Sequence, residues 1–397
     1  MLESILSGLR VIDLTQNVAG PFCTQILGDL GADVIKIERP GSGDDARQWK
    51  PPEIGGVSTG FLALNRSKKS VCIDLDTQAG QQLVARLAST ADVLVHSLKP
   101  GSAESRGLGW DALVGMNPRL VYCAISAFGE VGPMSPLPGY DPLMQAFTGI
   151  MSVSGHEGDE PARVGVSLID MGTGMWAAMA VLAALLGRAS SGKGMRVQAS
   201  LLETGLSWMT VPVANYLATA RLPRKMGSAM AMMAPYELFD TADGKVFIAA
   251  ANDRLFARIC VGLDEPGLAQ DVRFVNMAAR IGHREALHAE LEARTRLRST
   301  ADCVAALRAA GAPCSEMHDV AQMLAHEQVQ AIGMLGDLPV PGAPQHKTMG
   351  LPFSSQGRRG RTGLPPPVLG ADTESVLLAA GLSVGELTEL RSQSVIG

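Results

Sequence analysis

The first half of the chain alternates short, apolar, β-branched runs with stretches of helical pattern, and this alternation restricts the possible folds more than any other feature. The runs that we predict as strands are 9–14, 32–38, 70–76, 92–98 and 120–126. Helical patterns lie between several of them, at 21–30, 77–88 and 110–114. Apolar strands connected by helices form parallel sheets that are covered on both faces. We therefore predict an α/β fold with a large Rossmann-like domain.

The turn after the first predicted strand limits what this sheet can bind. Residues 15–20 read Thr-Gln-Asn-Val-Ala-Gly and lack the GxGxxG pattern that places a dinucleotide pyrophosphate at a helix N-terminus. The likeness to nucleotide-binding domains is therefore architectural, and we do not predict NAD binding.

The pattern changes near residue 226, which indicates a second domain. Asp243-Gly244 between two apolar runs predicts a hairpin, and helical patterns follow it. A chain of 397 residues is long enough for about two or three domains. The predicted parts are a large domain at 1–190, a linker at 191–225, a small α+β domain at 226–318, and a return linker with a C-terminal helical part joining the large domain at 319–397.

Charge and cysteine content argue against several functional classes. A formal net charge of −5 disfavours a nucleic-acid surface. The six cysteines form no CxxC pair and have no histidine at metal spacing, so we predict neither a metal site nor a disulfide framework. No export signal is visible at the start, and the longest apolar run, 175–186, is shorter than the roughly 20 residues that span a bilayer. We expect a cytoplasmic protein with no membrane segment.

Asp170 is the acidic residue with the most informative position. It follows an apolar run, 164–169, that we predict as a strand, and it precedes a strongly apolar helix. One interpretation is an ordinary N-cap, because aspartate accepts hydrogen bonds from first-turn amides. The other is a functional carboxylate that the helix N-terminus keeps ionised, with Gly172 and Gly174 leaving room for a substrate. The neighbouring residues leave both interpretations open.

Segments spread over most of the chain resemble those of the class III coenzyme A transferases of the CaiB/BaiF type. This family includes formyl-CoA transferase, carnitine CoA-transferase and the α-methylacyl-CoA racemases. The matching segments are 8–15, 19–21, 27–41, 64–70, 127–133, 251–256 and 310–313. The resemblance implies a homodimer of two chains interlocked as rings. It also implies that Asp170 attacks an acyl-CoA thioester and forms aspartyl anhydride and aspartyl-CoA intermediates.

The same resemblance assigns roles to further residues. It places Gln16 and Tyr140 beside Asp170 in the catalytic centre. It implies that coenzyme A is a substrate rather than a tightly bound cofactor, and that it contacts both loop residues and cations. These contacts are Val18, Ala19, Arg39, Lys68, Ser97, Leu98, Arg106 and Asp141, with Lys99 as a further candidate cation. Because coenzyme A carries phosphates, a net-acidic chain must supply such local cations.

Tyr140 distinguishes between two activities of the family. The racemases carry a histidine at this position to exchange the α-proton of the substrate, and a phenol is a poor substitute at neutral pH. We therefore predict transfer of coenzyme A from an acyl-CoA, with succinyl-CoA as a candidate donor, to a carboxylic acid. The alternatives are an α-methylacyl-CoA racemase or epimerase, and a CoA-binding subunit without catalytic activity.

Overall fold

The structure, a computed structural model, describes residues 2–360 and 363–397. Its strands are β1 Arg10–Leu14, β2 Asp33–Glu38, β3 Glu53–Ile54, β4 Val57–Ser58, β5 Lys68–Cys72, β6 Val93–His96, β7 Val121–Ser126, β8 Arg196–Ser200, β9 Tyr236–Asp240, β10 Lys245–Ala249, β11 Cys314–Glu316, β12 Leu335–Asp337 and β13 Lys347–Met349. Its α-helices are α1 Ala19–Asp29, α2 Thr59–Leu64, α3 Gln78–Ala88, α4 Ser102–Ser105, α5 Trp110–Met116, α6 Asp141–Phe147, α7 Ile150–Val153, α8 Leu168–Ser191, α9 Leu201–Trp208, α10 Thr210–Thr219, α11 Asp253–Gly262, α12 Met277–Gly282, α13 Arg284–Thr295, α14 Thr300–Ala309, α15 Val320–Ala325, α16 Glu327–Ala331, α17 Thr373–Ala379 and α18 Val384–Ser392. Short 3₁₀ helices cover Leu2–Ser4, Asp45–Gln48 and Pro266–Gln270.

Six parallel strands form the main sheet, in the order β5-β2-β1-β6-β7-β8. At its centre Ile12 pairs with Ile35 on one side and with Leu94 on the other, and all three are buried. Their burial follows from helices on both faces of the sheet. The strand order runs outward from β1 in both directions, so the switch point lies between β1 and β6. Parallel sheets bind ligands at the carboxyl ends of the strands at this point. The predicted α/β class is confirmed.

The chain enters and leaves the edge strand β5 earlier than predicted. The sequence predicts a strand at 70–76, whereas β5 covers Lys68–Cys72. After Cys72 the chain turns to another partner, because Ile73 bridges to Ile396 and the Asp74 amide donates to the Val395 carbonyl. The buried strand can begin at Lys68 because the ammonium group of this residue pairs with Asp13 inside the protein.

Two further predictions at the level of elements differ from the structure. Residues 164–167 form no strand before Asp170, and α8 begins directly at Leu168. The range 191–225, predicted as a linker, contains the edge strand β8 and the helices α9 and α10.

The described chain divides into two compact units. Unit 1 consists of the described parts of 1–150, 164–214 and 328–397, and it contains the main sheet. Unit 2 consists of 151–163 and 215–327, where β9, β10 and β11 form an antiparallel sheet. The core of unit 2 gathers buried side chains of this sheet, α11, α13 and α14. The predicted hairpin is confirmed, because β9 and β10 pair around the Asp243-Gly244 turn. The domain limits given above stay predictions.

Candidate active site

A cavity of about 330 Å³ lies in unit 1 at the carboxyl ends of β1, β6 and β7. Its walls come from the loops after these strands, from the turn before α6 and from the first turn of α8. Seven of the eleven predicted site residues line it: Gln16, Val18, Ala19, Ser97, Leu98, Tyr140 and Asp170. The structure thus brings together, around one cavity, residues that are up to about 150 positions apart in the sequence.

Asp170 is not the cap of its helix. It lies in the first turn of α8, three residues after the N-cap Ser167, whose side chain makes no capping hydrogen bond. Asp141 supplies the cap instead, because its Oδ2 accepts from the amides of Ile169 at 2.7 Å and of Asp170 at 3.1 Å. The N-cap interpretation of Asp170 is therefore wrong, and its carboxylate is not needed to cap the helix.

Asp141 has a structural role between α6 and α8. It is 3% exposed and does not line the cavity. Its Oδ1 accepts from Gln145 Nε2 at 2.5 Å, and Gln145 Oε1 accepts from the Val164 amide at 2.8 Å. These bonds tie α6 to the segment that enters α8. Both carboxylate oxygens of Asp141 thus serve the backbone and Gln145, and its contact with coenzyme A stays a prediction.

The environment of Asp170 disfavours its ionised form. Burial, together with the nearby Asp141 carboxylate, raises the pKa of Asp170 to about 7. We predicted that the helix N-terminus would keep Asp170 ionised, and these two opposing effects outweigh it. A carboxylate of raised basicity in a cleft is characteristic of functional sites.

Two glycines near Asp170 allow close helix packing. A Cβ on Gly174 would lie 2.5 Å from the carbonyl oxygen of Ala19 at the start of α1. A Cβ on Gly172 would lie 2.9 Å from Thr204 Cγ2 on α9. Both glycines are buried, so they do not leave room for a substrate as predicted. They bring the helix that carries Asp170 into direct contact with α1 and α9.

The loop after β1 forms a second wall of the cavity. The Gln16 amide donates to Ser97 Oγ at 3.1 Å, which joins this loop to the one after β6. Asn17 has a φ of +68°, in the left-handed region that asparagine tolerates better than most residues. The N-cap of α1 is Val18, whose side chain cannot accept a hydrogen bond, so no side chain caps the amides that begin α1.

Other lining residues add polar and aromatic surface. Tyr140 is 61% exposed and stands immediately before α6. Lys99 lies at the cavity with an exposed side chain. Trp49 and Asn17 also line the cavity and were not predicted. Asn17 could have been found because it lies between Gln16 and Val18, which the resemblance assigns to the site, whereas Trp49 follows a short 3₁₀ helix that gives no signal in the sequence.

Two predicted cations lie outside the cavity lining. Arg39 follows β2 directly, is half exposed, and forms an ion pair with Asp45. Arg106 ends α4 and donates to Ser102 and Asp76. Both guanidinium groups keep some exposed surface, and their contacts with coenzyme A stay predictions.

Lys68 is fully buried. Its ammonium donates to Asp13 Oδ2 at 3.1 Å, to the Pro21 carbonyl at 2.9 Å and to Asn65 Oδ1 at 3.0 Å. These three acceptors use all three donors of the group. Burial lowers the pKa of Lys68 to about 8, although Asp13 acts in the opposite direction. In this structure Lys68 holds β1, β5 and α1 together, and its contact with coenzyme A stays a prediction.

The cavity combines a carboxylate of raised basicity with helix-start amides that lack a side-chain cap. Such a carboxylate can attack a carbonyl carbon, and amide donors can stabilise the oxyanion that forms. Among residues 2–360 and 363–397, no three His, Cys, Asp or Glu side chains are grouped so as to hold a metal ion.

Comparisons with known proteins give the same indication. Residues 6–373 match the family model of CoA-transferase family III. The chain is 36% identical to succinyl-CoA:glutarate CoA-transferase of Mus musculus, over 94% of this chain and 85% of that protein. It is also 36% identical to succinate–glutarate CoA-transferase of Agrobacterium fabrum, over 84% and 85% of the two chains. The crystal structure of a CAIB/BAIF family protein from Brucella suis is similar at a TM-score of 0.84, with 35% identity and coverage of 94% and 99%.

These matches extend over nearly the whole chain, and the matching relatives are named as transferases. They confirm the resemblance seen in the sequence and favour transfer of coenzyme A over racemisation. The chain belongs to CoA-transferase family III and transfers coenzyme A between an acyl-CoA and a carboxylic acid.

Proposed function

We propose that Asp170 is the covalent nucleophile of this transfer. One observation carries the proposal: Asp170 is the only acidic side chain that lines the described cavity at the sheet switch point. Its raised pKa supports the same role, because a more basic carboxylate attacks a thioester carbonyl more readily.

The reaction proceeds by exchange between thioesters and anhydrides. A carboxylate oxygen of Asp170 bonds to the acyl carbon of the donor, and the carbon–sulfur bond breaks to release the CoA thiolate. The thiolate attacks the aspartyl carbonyl of the mixed anhydride, so that an aspartyl-CoA thioester forms and the donor acid leaves. The acceptor carboxylate attacks this thioester and again releases thiolate. The thiolate then attacks the acceptor carbonyl of the second anhydride, which yields the new acyl-CoA and frees Asp170.

The walls of the cavity support two requirements of this scheme. The Gln16 side chain and the uncapped amides at the start of α1 can donate to the oxyanion of each tetrahedral intermediate. Confinement of the thiolate beside the anhydride favours recapture over hydrolysis, with an effective molarity on the order of 10⁵ M or more. Arg39, Arg106 and Lys99 are the cations proposed to hold the CoA phosphates.

Succinyl-CoA is the proposed donor, and a small dicarboxylate is the proposed acceptor. The names of the mouse and Agrobacterium fabrum relatives support this choice.

The active protein is proposed to be an interlocked homodimer in the cytoplasm. Large apolar side chains on α6, α8 and α9 of unit 1 are exposed: Leu143, Phe147, Met171, Met175, Trp176, Met179, Leu206 and Trp208. The rings of Trp176 and Trp208 lie 6.4 Å apart. Contiguous apolar surface of this kind is typical of protein interfaces. All six cysteines are free, which is consistent with a reducing compartment.

Substitution and mass spectrometry test the role of Asp170. Wild-type protein incubated with succinyl-CoA should carry an acyl or CoA adduct on the peptide that contains Asp170. Asp170→Ala should lose the adduct and all measurable transfer to glutarate. Asp111→Ala, which removes an exposed aspartate from the first turn of α5, is the matched control and should transfer normally. Transfer by Asp170→Ala at a rate comparable to wild type would overturn the proposal.

A further inference from the structure

A buried ion pair lies beside the loop that follows β1. Lys36 in β2 and Asp44, just before a 3₁₀ helix, have fully buried side chains, and Lys36 Nζ lies 2.8 Å from Asp44 Oδ2. Neither residue lines the cavity. The attraction within a buried pair is largely offset by the desolvation of both charges. The contacts that the pair makes with the neighbouring backbone therefore explain its presence better than the attraction between its two charges does.

Each partner also binds one backbone group of the loop. Lys36 Nζ donates to the carbonyl oxygen of Thr15 at 2.8 Å. Asp44 Oδ1 accepts from the amide of Asn17 at 3.1 Å. The pair therefore fixes the backbone on both sides of Gln16, and it holds Asn17 in its left-handed conformation.

The same loop leads directly to the helix that contacts the nucleophile's helix. After Asn17 the chain enters α1, and the Ala19 carbonyl lies so close to α8 that a Cβ on Gly174 would approach it to 2.5 Å. A shift of the loop would move Gln16 and the start of α1 relative to Asp170. The ion pair thus lies where it can set the spacing between the proposed oxyanion donors and the proposed nucleophile.

The charge of Lys36 persists at neutral pH. Burial acts to lower the pKa of Lys36, but Asp13 and Asp44 more than offset it, and the pKa lies above its ordinary value. The loop contacts of Lys36 therefore do not change over the pH range in which Asp170 titrates.

We propose that Lys36 and Asp44 are positioning residues for CoA transfer, which act by holding the Thr15–Asn17 backbone so that Gln16 and the start of α1 face Asp170. The inference rests on the proposed role of Asp170. Neither residue lines the cavity, so their loss should affect the chemical steps more than the binding of acyl-CoA.

A pair of double variants tests this role. Lys36→Met/Asp44→Ala removes both loop contacts without leaving an unpaired buried charge. We expect kcat to fall about 100-fold, as a misplacement of about 1 Å can cause, and KM for the acyl-CoA to change less than about threefold. Lys36→Met/Asp44→Asn restores an acceptor for the Asn17 amide and should recover about tenfold of the lost kcat. The pH below which the rate falls should be the same in both variants as in wild type, because the pKa of Asp170 sets that pH.

The control is the equally buried pair Arg66–Asp29, whose atoms lie 2.6 Å apart at the opposite end of α1. Arg66→Met/Asp29→Ala, with folding checked by near-UV circular dichroism, should keep kcat within about threefold of wild type. Three results would each overturn positioning: unchanged kcat in folded Lys36→Met/Asp44→Ala, no recovery with asparagine at position 44, or an equal loss in the control.

Lys36→Met/Asp44→Asn decides the question on its own if Lys36→Met/Asp44→Ala does not fold. It keeps the acceptor for the Asn17 amide, loses the contact with the Thr15 carbonyl and leaves no unpaired buried charge, and it should lower kcat about tenfold with little change in KM. Unchanged kcat in this folded variant would contradict the inference. Asp170→Ala, measured in parallel, separates the two proposals. Retained activity in Asp170→Ala contradicts the proposed nucleophilic role of Asp170. Retained activity in the pair variants contradicts only the positioning role of Lys36 and Asp44.

Discussion

Two carboxylates at the start of α8 have different tasks. Asp141 accepts from the backbone amide of Asp170, which fixes the position of the proposed nucleophile, and its negative charge disfavours ionisation of the Asp170 side chain. Position and basicity of the proposed nucleophile thus come from the same neighbour. This arrangement makes the pH dependence of the reaction a direct test of the site.

The rate should increase with pH up to about 7. In the proposed mechanism only ionised Asp170 attacks, and burial together with Asp141 raises its pKa to about 7. We expect kcat/KM for the acyl-CoA to fall roughly tenfold per pH unit below that value and to be level above it. A steady-state pH profile checks this, and a profile that stays level down to pH 5 would contradict the raised pKa.

Removing the charge of Asp141 should lower the pH below which kcat/KM falls, which is the acid limb of the pH profile. Asp141→Asn keeps an oxygen that can accept from the α8 amides but loses the charge that opposes ionisation of Asp170. We expect the limb to move to lower pH by about one unit, as loss of a nearby like charge does. The same pH profile on the variant provides the measurement, with Asp111→Asn as a control that leaves the limb in place. A limb at the wild-type position would mean that burial alone sets the pKa.

Asp170 should also make stability depend on pH. Its pKa is raised on folding, so between about pH 4 and pH 7 the folded state keeps a proton that the unfolded state releases. The free energy of unfolding therefore decreases as pH rises through this window. Asp170→Asn should be more stable than wild type at pH 8 by roughly 1–2 kcal/mol, after allowance for partial exposure, with little difference near pH 4. Urea unfolding at both pH values checks this.

At the level of elements, the contact between α1 and α8 depends on Gly174. A methyl group there would meet the Ala19 carbonyl at 2.5 Å, so one of the two helices must move. We expect Gly174→Ala to lower the free energy of unfolding by about 1–3 kcal/mol and to reduce kcat. Gly187→Ala is the matched control on the same helix, because nothing beyond its own stretch of helix lies within 4 Å of the place that the added methyl group would take. It should leave stability unchanged or raise it by up to about 1 kcal/mol. Urea unfolding of both variants distinguishes local crowding from a general effect of alanine.

The elements that the sequence predicts well are those whose signals are local. Thr77 accepts from the Gly80 amide and caps α3, close to where the helical pattern begins. The Asp243-Gly244 turn likewise lies between the two strands that it predicts. In contrast, α8 begins where Asp141, 28 positions before Ile169, caps it. No pattern in the residues next to Asp170 contains that information.

The site residues that lie on loops next to the strand ends were predictable from the sequence. Gln16 and Ser97 lie just after β1 and β6, and Tyr140 lies just before α6. The structure places all three at one cavity. The burial of Lys68, which the resemblance assigns to coenzyme A binding, was not predictable because a charged residue gives no sign of burial until its partners are known. Its partner Asp13 lies 55 positions away, on a strand that is not a direct neighbour of β5.

At the scale of the whole molecule, the exposed apolar side chains of α6, α8 and α9 predict a stable assembly. A single chain has a mass of 41.6 kDa. We expect light scattering to give twice this value, and we expect the mass to persist on dilution to nanomolar concentration, because interlocked rings cannot separate without unfolding. A reversible fall to the single-chain mass on dilution would argue against interlocking.

Residues near the end of the described chain lie against the outer edge of β5 in the main sheet. Asp372 and Thr373 accept hydrogen bonds from β5, and Val395 and Ile396 contact the segment that leaves it. During synthesis on a ribosome, β5 therefore remains an open edge while about 300 further residues are made, and an open edge invites pairing with other chains. Unit 2, which is continuous from 215 to 327 for most of its length, can form its core before that edge is closed. Nascent chains arrested before residue 372 should for this reason need chaperones or aggregate, whereas the finished chain protects its own edge.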